Sequence, residues 1–307
     1  MTGGVGKSGG RRPRDATVEV RLLDEGDLEA LHTFLASRPH TTMFLRSNLE
    51  RVGLADGGRP YEGTWAAAFA SGDVIGAAAH FWTGNVIVDA PDSAAAVARH
   101  AVQSSPRALM GILGPWEQVV AVRSAFDATD RPCRVESRER LFALDLGSLV
   151  APAALSGGQV ICRPPDPEEI ESTIIDWRVA FMVETVGADP DEAEFEKARE
   201  RLHREASEGA LFVLESAGDL VATSGFNART PDCVQIGGVY TPPELRGRGH
   251  ARAVVAGSLL EARREGASSS ILFTGEDNHP AQRCYASLGF GRVGDHGMVH
   301  FRSPLPD

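Results

Sequence analysis

Between Val234 and Ala251 the 307-residue chain runs Val234-Gln235-Ile236-Gly237-Gly238-Val239-Tyr240-Thr241, then Pro242-Pro243, then Arg246-Gly247-Arg248-Gly249-His250-Ala251. The first block reads as a strand, the last as a helix start, and a tight loop joins them. The first backbone N–H groups of a helix have no intrahelical partner and the dipole there is positive, so an anion such as a pyrophosphate is held at that point. Gly247 and Gly249 remove side chains that would keep phosphates away, while Arg246, Arg248 and Arg252 add positive charge. That local charge matters because the chain as a whole carries a formal net charge of -11, which opposes approach to a nucleic-acid backbone. An anionic ligand therefore needs a basic site of its own.

The elements that must hold this loop follow from periodicity. After it, Ala251, Val254, Val255, Leu259 and Ala262 recur at helical spacing and Gly266 supplies a stop. Before it, a strand over 160–163, helices over 167–186 and 193–207, a hairpin of 210–216 with 220–227, and a third strand over 233–241 are expected. A strand over 270–274 and a helix over 280–288 follow. Strands and helices mixed in this order predict an α/β (α+β) domain built on a central mixed sheet flanked by helices.

The length suggests two such domains, at roughly 150 residues each. An internal repeat supports this. Val18-Glu19-Val20-Arg21 with Asp24, Asp27, Leu28 and Glu29 aligns on Val160-Ile161-Cys162-Arg163 with Asp166, Glu169, Ile170 and Glu171. Further on, Ser71-Gly72-Asp73-Val74 parallels Ala217-Gly218-Asp219-Leu220, each a Gly-Asp turn between apolar strands. The expected division is a tail over 1–15, a first domain over 16–150 and a second over 158–307, joined by the small-residue stretch Ala151 to Gly158.

Composition is that of a soluble globular protein: 42% hydrophobic and 24% charged residues, with no apolar run long enough to span a bilayer. Cys133, Cys162, Cys233 and Cys284 are too scattered for a zinc site or disulfide framework, so reduced thiols in a cytoplasmic protein without a metal are expected. Residues 1–15 are glycine- and arginine-rich and read as a disordered tail; Gly6-Lys7-Ser8 lacks the earlier glycine and strand of a P-loop.

Arg246, Gly249 and Ala251 resemble the Arg/Gln-x-x-Gly-x-Gly/Ala loop of the GNAT acetyltransferase superfamily, and Asn278, Ala281, Tyr285, Gly289 and Phe290 resemble its Asn-x-x-Ala-x-x-x-Tyr-x-x-x-Gly-Phe pattern. The similarity covers roughly Phe212 to Phe301 clearly; with the repeat it implies two GNAT-like domains, the first a degenerate copy. The resemblance implies acetyl-CoA as co-substrate, with the backbone of Val239 and Thr241 along its pantetheine arm and Arg246, Gly247, Arg248, Gly249, His250, Ala251 and Asn278 as cofactor contacts. The Val239 N–H would polarise the thioester carbonyl, and Tyr285 would give a proton to the departing thiolate. Asn278 also suits a helix cap, and Tyr285 a core position beside Ala281, Cys284 and Leu288.

The implied activity is N-acetylation of a primary amine on a small molecule or peptide, with no nucleic-acid or membrane partner and with room for a homodimer. Trp177, Arg178, Phe181 and Glu184 recur at helical spacing in a region that usually lines the acceptor pocket of the superfamily, which makes Glu184 the candidate to bind or deprotonate the amine. The first half has Asp89-Ala90-Pro91-Asp92-Ser93 where the loop would stand, without a glycine pair or arginine cluster; His80 and Trp82 either face the acceptor cleft or pack in its core. A non-catalytic acyl-CoA-binding module would keep the loop and need no Tyr285. Dinucleotide binding is excluded by the absence of Gly-x-Gly-x-x-Gly spacing.

Overall fold

Two hairpin turns, Ser71-Gly72 and Ala217-Gly218, carry nearly the same unusual backbone: φ of 55° and 91° in one, 54° and 91° in the other. Consecutive left-handed residues match the right-handed twist of the strands they join, and glycine in second place relieves half the steric cost. The computed structural model, which describes residues 17–305, continues the likeness along both halves. The tail expected over 1–15 lies outside the described residues.

The first half runs β1 (Glu19–Leu22), α1 (Leu28–Ser37), α2 (Met43–Val52), β2 (Gly63–Ala70), β3 (Asp73–Phe81), β4 (Asn85–Asp89), α3 (Ala94–Gln103), β5 (Gly111–Pro115), α4 (Trp116–Ala125) and β6 (Cys133–Asp145). The second runs β7 (Val160–Arg163), α5 (Ile175–Val186), α6 (Glu192–Ser207), β8 (Leu211–Ser216), β9 (Asp219–Arg229), β10 (Cys233–Tyr240), α7 (His250–Arg264), β11 (Ser269–Gly275), α8 (His279–Leu288) and β12 (Gly291–Phe301). The helix expected from 167 forms, but reaches α5 through a π-helical turn at Ile170–Ile174.

Each half starts with one electrostatic device. Asp24 caps the turn before α1, Asp27 returns to the Asp24 N–H, and Arg21 grips Asp27 with two contacts of 2.6 Å. In the second half Asp166 and Glu169 form the same box, and Arg163 grips Glu169 at 2.6 and 2.8 Å. The acidic residue thus serves both the orphan N–H at the helix start and the strand's arginine.

The twelve strands of the described residues join one mixed sheet, in the order β1-β2-β3-β4-β5-β12-β6-β11-β10-β9-β8-β7. The halves exchange their last strands. β6 leaves the first half to pair antiparallel with β11, from Asp145 opposite Ser269 to Glu139 opposite Gly275. β12 returns from the second half to pair with β5, from His300 opposite Gly111 to His296 opposite Pro115, and β6 and β12 pair with each other at the centre.

Burial follows the exchange. Phe142 and Leu144 of β6 enter the core formed by Val254, Val255 and Leu259 of α7 with Phe212 and Phe226. Val299 and Phe301 of β12 enter the core of Val97 and Ala98 of α3 with Val119 and Val122 of α4. At about 1.5–3 kcal/mol for each fully buried large apolar side chain, each half receives part of its apolar stabilisation from the other's strand. His80 is fully buried within the first half, and Trp82 packs on Tyr61 at 4.9 Å, so both serve packing.

Candidate active site

Parallel strands β10 and β11 pair only from Cys233 opposite Ser269 to Ile236 opposite Leu272. Beyond that, β10 continues to Tyr240 and β11 to Gly275 without mutual pairing, leaving a wedge between their C-terminal ends. Gly237-Gly238 sits where they part: register against β9 slips between Gly237 and Tyr240, and Gly238 has φ 60°. A Cβ on Gly237 would collide with the Asn227 amide, and one on Gly238 would come within 3.0 Å of the Arg178 guanidinium. The expected bulge is present, and glycine is required for it both sterically and conformationally.

Beneath the bulge lies a buried ionic network that periodicity did not reveal. Arg178 donates to Glu205 at 2.8 Å, Arg201 donates to the other Glu205 oxygen at 2.6 Å, and Arg201 also reaches Asn227 Oδ1 at 2.7 Å. Burial opposes ionisation of Glu205, yet the two guanidinium groups together hold its carboxyl below the ordinary value. The network couples α5 and α6 to β9, the strand that pairs with the wedge wall β10.

The loop after β10 leaves its backbone uncovered. Gly247 and Gly249 adopt φ 78° and 84°, and an added Cβ at either would meet nothing within 4 Å. Gly249 caps α7 without a side chain, so no cap competes for the first N–H groups of that helix. His250 and Ala251 are its first two residues, and burial and Arg248 lower the His250 pKa, keeping that imidazole neutral near pH 7. Arg248 donates to the Glu244 carbonyl at 3.2 Å and Arg252 is exposed.

Arg246 fixes the loop to β10 through a 2.9 Å bond from Nε to the Thr241 carbonyl. Its Nη2 contacts both oxygens of Glu184, at 2.9 and 2.7 Å. Glu184 thus lies against the loop arginine, with its side chain 43% exposed, and its carboxylate is occupied there. Helical spacing placed Glu184 on the face of Trp177 and Phe181 but could not show which distant residue it meets.

Tyr285 packs in the same core as α7, edge-on to Phe290 at 6.0 Å, and Val239 packs against that core. Burial, followed by the charges of Cys284 and Glu139, pushes its phenol above the ordinary value, so it is protonated at neutral pH. Asn278 caps α8 by accepting from the Ala281 N–H at 3.2 Å. On the opposite side of the sheet, a cleft of about 480 Å³ is lined by Arg134, Gly187, Asp189, Glu194, Lys197 and Arg302, between the start of β6 and the loop joining α5 to α6. No cluster of three or more metal-ligating side chains occurs among the described residues. No described helix is long and apolar enough to cross a membrane.

Residues 172–290 match the family model "Acetyltransferase (GNAT) family". This segment is a GNAT acetyltransferase domain. No curated protein sequence matches the chain significantly. Among solved structures, a Drosophila protein aligns over 92% of this chain and 98% of its own, with TM-score 0.62 and 12% identity. A GCN5-related N-acetyltransferase from Sphaerobacter thermophilus aligns over 94% and 96%, with TM-score 0.54 and 16% identity, and one from Kribbella flavida over 86% and 96%, with TM-score 0.51 and 17% identity. At these identities the likeness establishes the fold, over nearly the whole chain.

The GNAT domain and the first half differ where the wedge would form. Strands β4 and β5 pair from Asn85 to Ile87, and beyond that the Val88 carbonyl lies so near Gly114 that a Cβ there would collide with it. Asp89, fully buried at the end of β4, is held by Arg38 at 2.7 Å. In the GNAT domain a Cβ on Gly275, at the corresponding strand end, would meet nothing within 4 Å.

Proposed function

We propose that the chain transfers an acetyl group from acetyl-CoA to a primary amine of a small molecule or peptide. The observation that carries this reading is the open wedge between β10 and β11 beside an uncapped, arginine-flanked helix start. The residues present suit the co-substrate: Gly247, Arg248, Gly249, His250 and Ala251 offer backbone N–H groups, arginine charge and open space to a pyrophosphate, and the Val239 and Thr241 backbone offers an unpaired strand edge to the pantetheine arm. Arg246 would meet the phosphates by leaving Glu184, and Asn278 would add a polar contact at the start of α8.

In the reaction, the Val239 N–H stabilises negative charge on the thioester oxygen and Tyr285, kept protonated by burial, protonates the departing thiolate. The first half, whose corresponding strands stay in contact beside buried Asp89, acts as a copy without a cofactor site. The test is a thiol-release screen of the purified protein with acetyl-CoA and a panel of amino acids, polyamines, aminoglycosides and peptides. Acceptor-dependent release supports acetyl transfer; measured acetyl-CoA binding without such release would replace it with a non-catalytic acyl-CoA-binding role.

A further inference from the structure

We propose that Glu139, on the strand which the first half contributes to the second, is the general base that takes the proton of the acceptor amine. This presupposes the acetyl-transfer reading and gives to Glu139 the deprotonation for which the sequence offered Glu184. Glu139 lies directly opposite Gly275, the last residue of β11, at the end of the sheet where β10 and β11 have diverged. Its other cross-strand neighbour is His296 of β12. Strand exchange therefore brings a carboxylate from one half beside β11, a wall of the other half's wedge, at the end where that wedge opens.

The surroundings of this carboxylate differ from those of its neighbours. Alternation along β6 turns Arg138 and Arg140 to the opposite face, where they pair with Asp295 and Glu276. Glu205 is likewise held by Arg178 and Arg201, and Glu184 lies against Arg246 of the cofactor loop. Glu139 is half-buried, and its partner is the Ser137 hydroxyl, donating at 3.1 Å; no cation lies within ion-pair distance of it among the described residues. His296 adds no positive charge, because burial pushes its imidazole down to about 4, and it stacks on Phe273 of β11 at 4.2 Å.

The other titratable group that senses Glu139 is Tyr285 of α8, whose phenol is raised in part by that carboxylate. Alternation places Glu139 with Leu141 and Ala143, on the face opposite to Phe142 and Leu144 of the Tyr285 core, so the proposed acid and base stand on opposite faces of the sheet at its open end. Burial raises the Glu139 carboxyl above its ordinary range with Ser137 opposing, which brings it toward the neutral pH at which a carboxylate base works best.

Glu139 takes one proton from the ammonium, freeing the nitrogen lone pair, and later releases it to solvent. The nitrogen attacks the thioester carbon, a C–N bond forms and the carbonyl π electrons move to oxygen near the Val239 N–H. Collapse breaks the C–S bond, Tyr285 protonates the thiolate, and the second nitrogen proton restores Tyr285. The products are the acetamide, free CoA and one proton.

The full chain, with saturating acetyl-CoA and whichever panel amine releases thiol fastest, provides the test across about pH 5 to 9. Glu139→Gln should lower kcat/KM for the amine on the order of 10²-fold or more and remove the acidic limb of the pH profile. Acetyl-CoA affinity and melting temperature should be kept, and Glu139→Asp should retain part of the rate. An unaltered rate and profile in Glu139→Gln overturns the proposal. So does a rate loss matched by an equal loss of acetyl-CoA affinity or by unfolding in both variants, which would make Glu139 structural. Absence of acceptor-dependent release from the unaltered chain overturns acetyl transfer itself, and the base with it.

Discussion

Replacing Glu205 by Gln leaves Arg178 buried without a counter-charge. The side chains of Arg178 and Glu205 are 5% and 9% exposed, and their closest atoms are 2.8 Å apart. Removing one member of such a pair costs about 3–5 kcal/mol, because the remaining charge keeps its desolvation penalty. Arg201 is 43% exposed, so its contact with Glu205 adds no more than about 1 kcal/mol. For a chain this long a loss of that size corresponds to a fall in melting temperature of roughly 6–10 °C. Replacing both residues, as in Arg178→Met with Glu205→Met, removes both penalties and should restore most of the loss. The pH dependence has a definite sign: the folded carboxyl lies below its unfolded value of 4.5, so its contribution is fully present above that value and is lost as pH falls through the lower, folded one. The gap between parent and single variant should therefore close in acid. Thermal unfolding of both single variants and the double variant across pH measures this. A single variant costing under about 1 kcal/mol, or a double variant costing the sum of the two, would refute the burial argument. Since Gly238 rests against Arg178, the single variants should also weaken acetyl-CoA binding.

Tyr285→Phe should lower turnover about 10²-fold or more with little change in acetyl-CoA affinity; steady-state kinetics beside calorimetric binding checks this, and unchanged turnover removes the acid role. Arg246→Ala should weaken acetyl-CoA binding, whereas Glu184→Gln should tighten it by up to about fivefold, because an exposed ion pair of roughly 0.2–1 kcal/mol no longer competes with phosphate; weaker binding by Glu184→Gln would sink the competition. Cutting the chain within 151–158 should leave the two pieces as one particle in size-exclusion chromatography, held by β6 and β12. Two separated peaks would show that the crossing strands do not bind the halves together.

The glycines at 237, 238, 247 and 249 were legible because each marks a backbone conformation or a close approach that other residues resist. The repeat was legible at Arg21 and Asp27 against Arg163 and Glu169 because their side chains make a local, self-contained contact. The exchange of β6 and β12 was not, since alternation along a strand tells which face a residue takes but not which strand lies beside it. Glu139 was missed for that reason: among the charged residues from Arg134 to Arg140 it is an ordinary member of a polar strand until β11 is placed next to it. Arg178 and Glu205 look like solvated helix residues in sequence, and only the packing of α5 on α6 buries them together.

The crossing strands also bear on how the protein is made. Pro115 and His296 are neighbours in the sheet yet lie about 180 residues apart in sequence, and loop-closure entropy opposes such distant contacts, slowing folding. A ribosome that has finished the first half has produced β5 with one edge bare and β6 with neither of its neighbours. That nascent sheet waits until the last strand emerges, which makes the interval of synthesis between β6 and β12 the period of greatest exposure to aggregation.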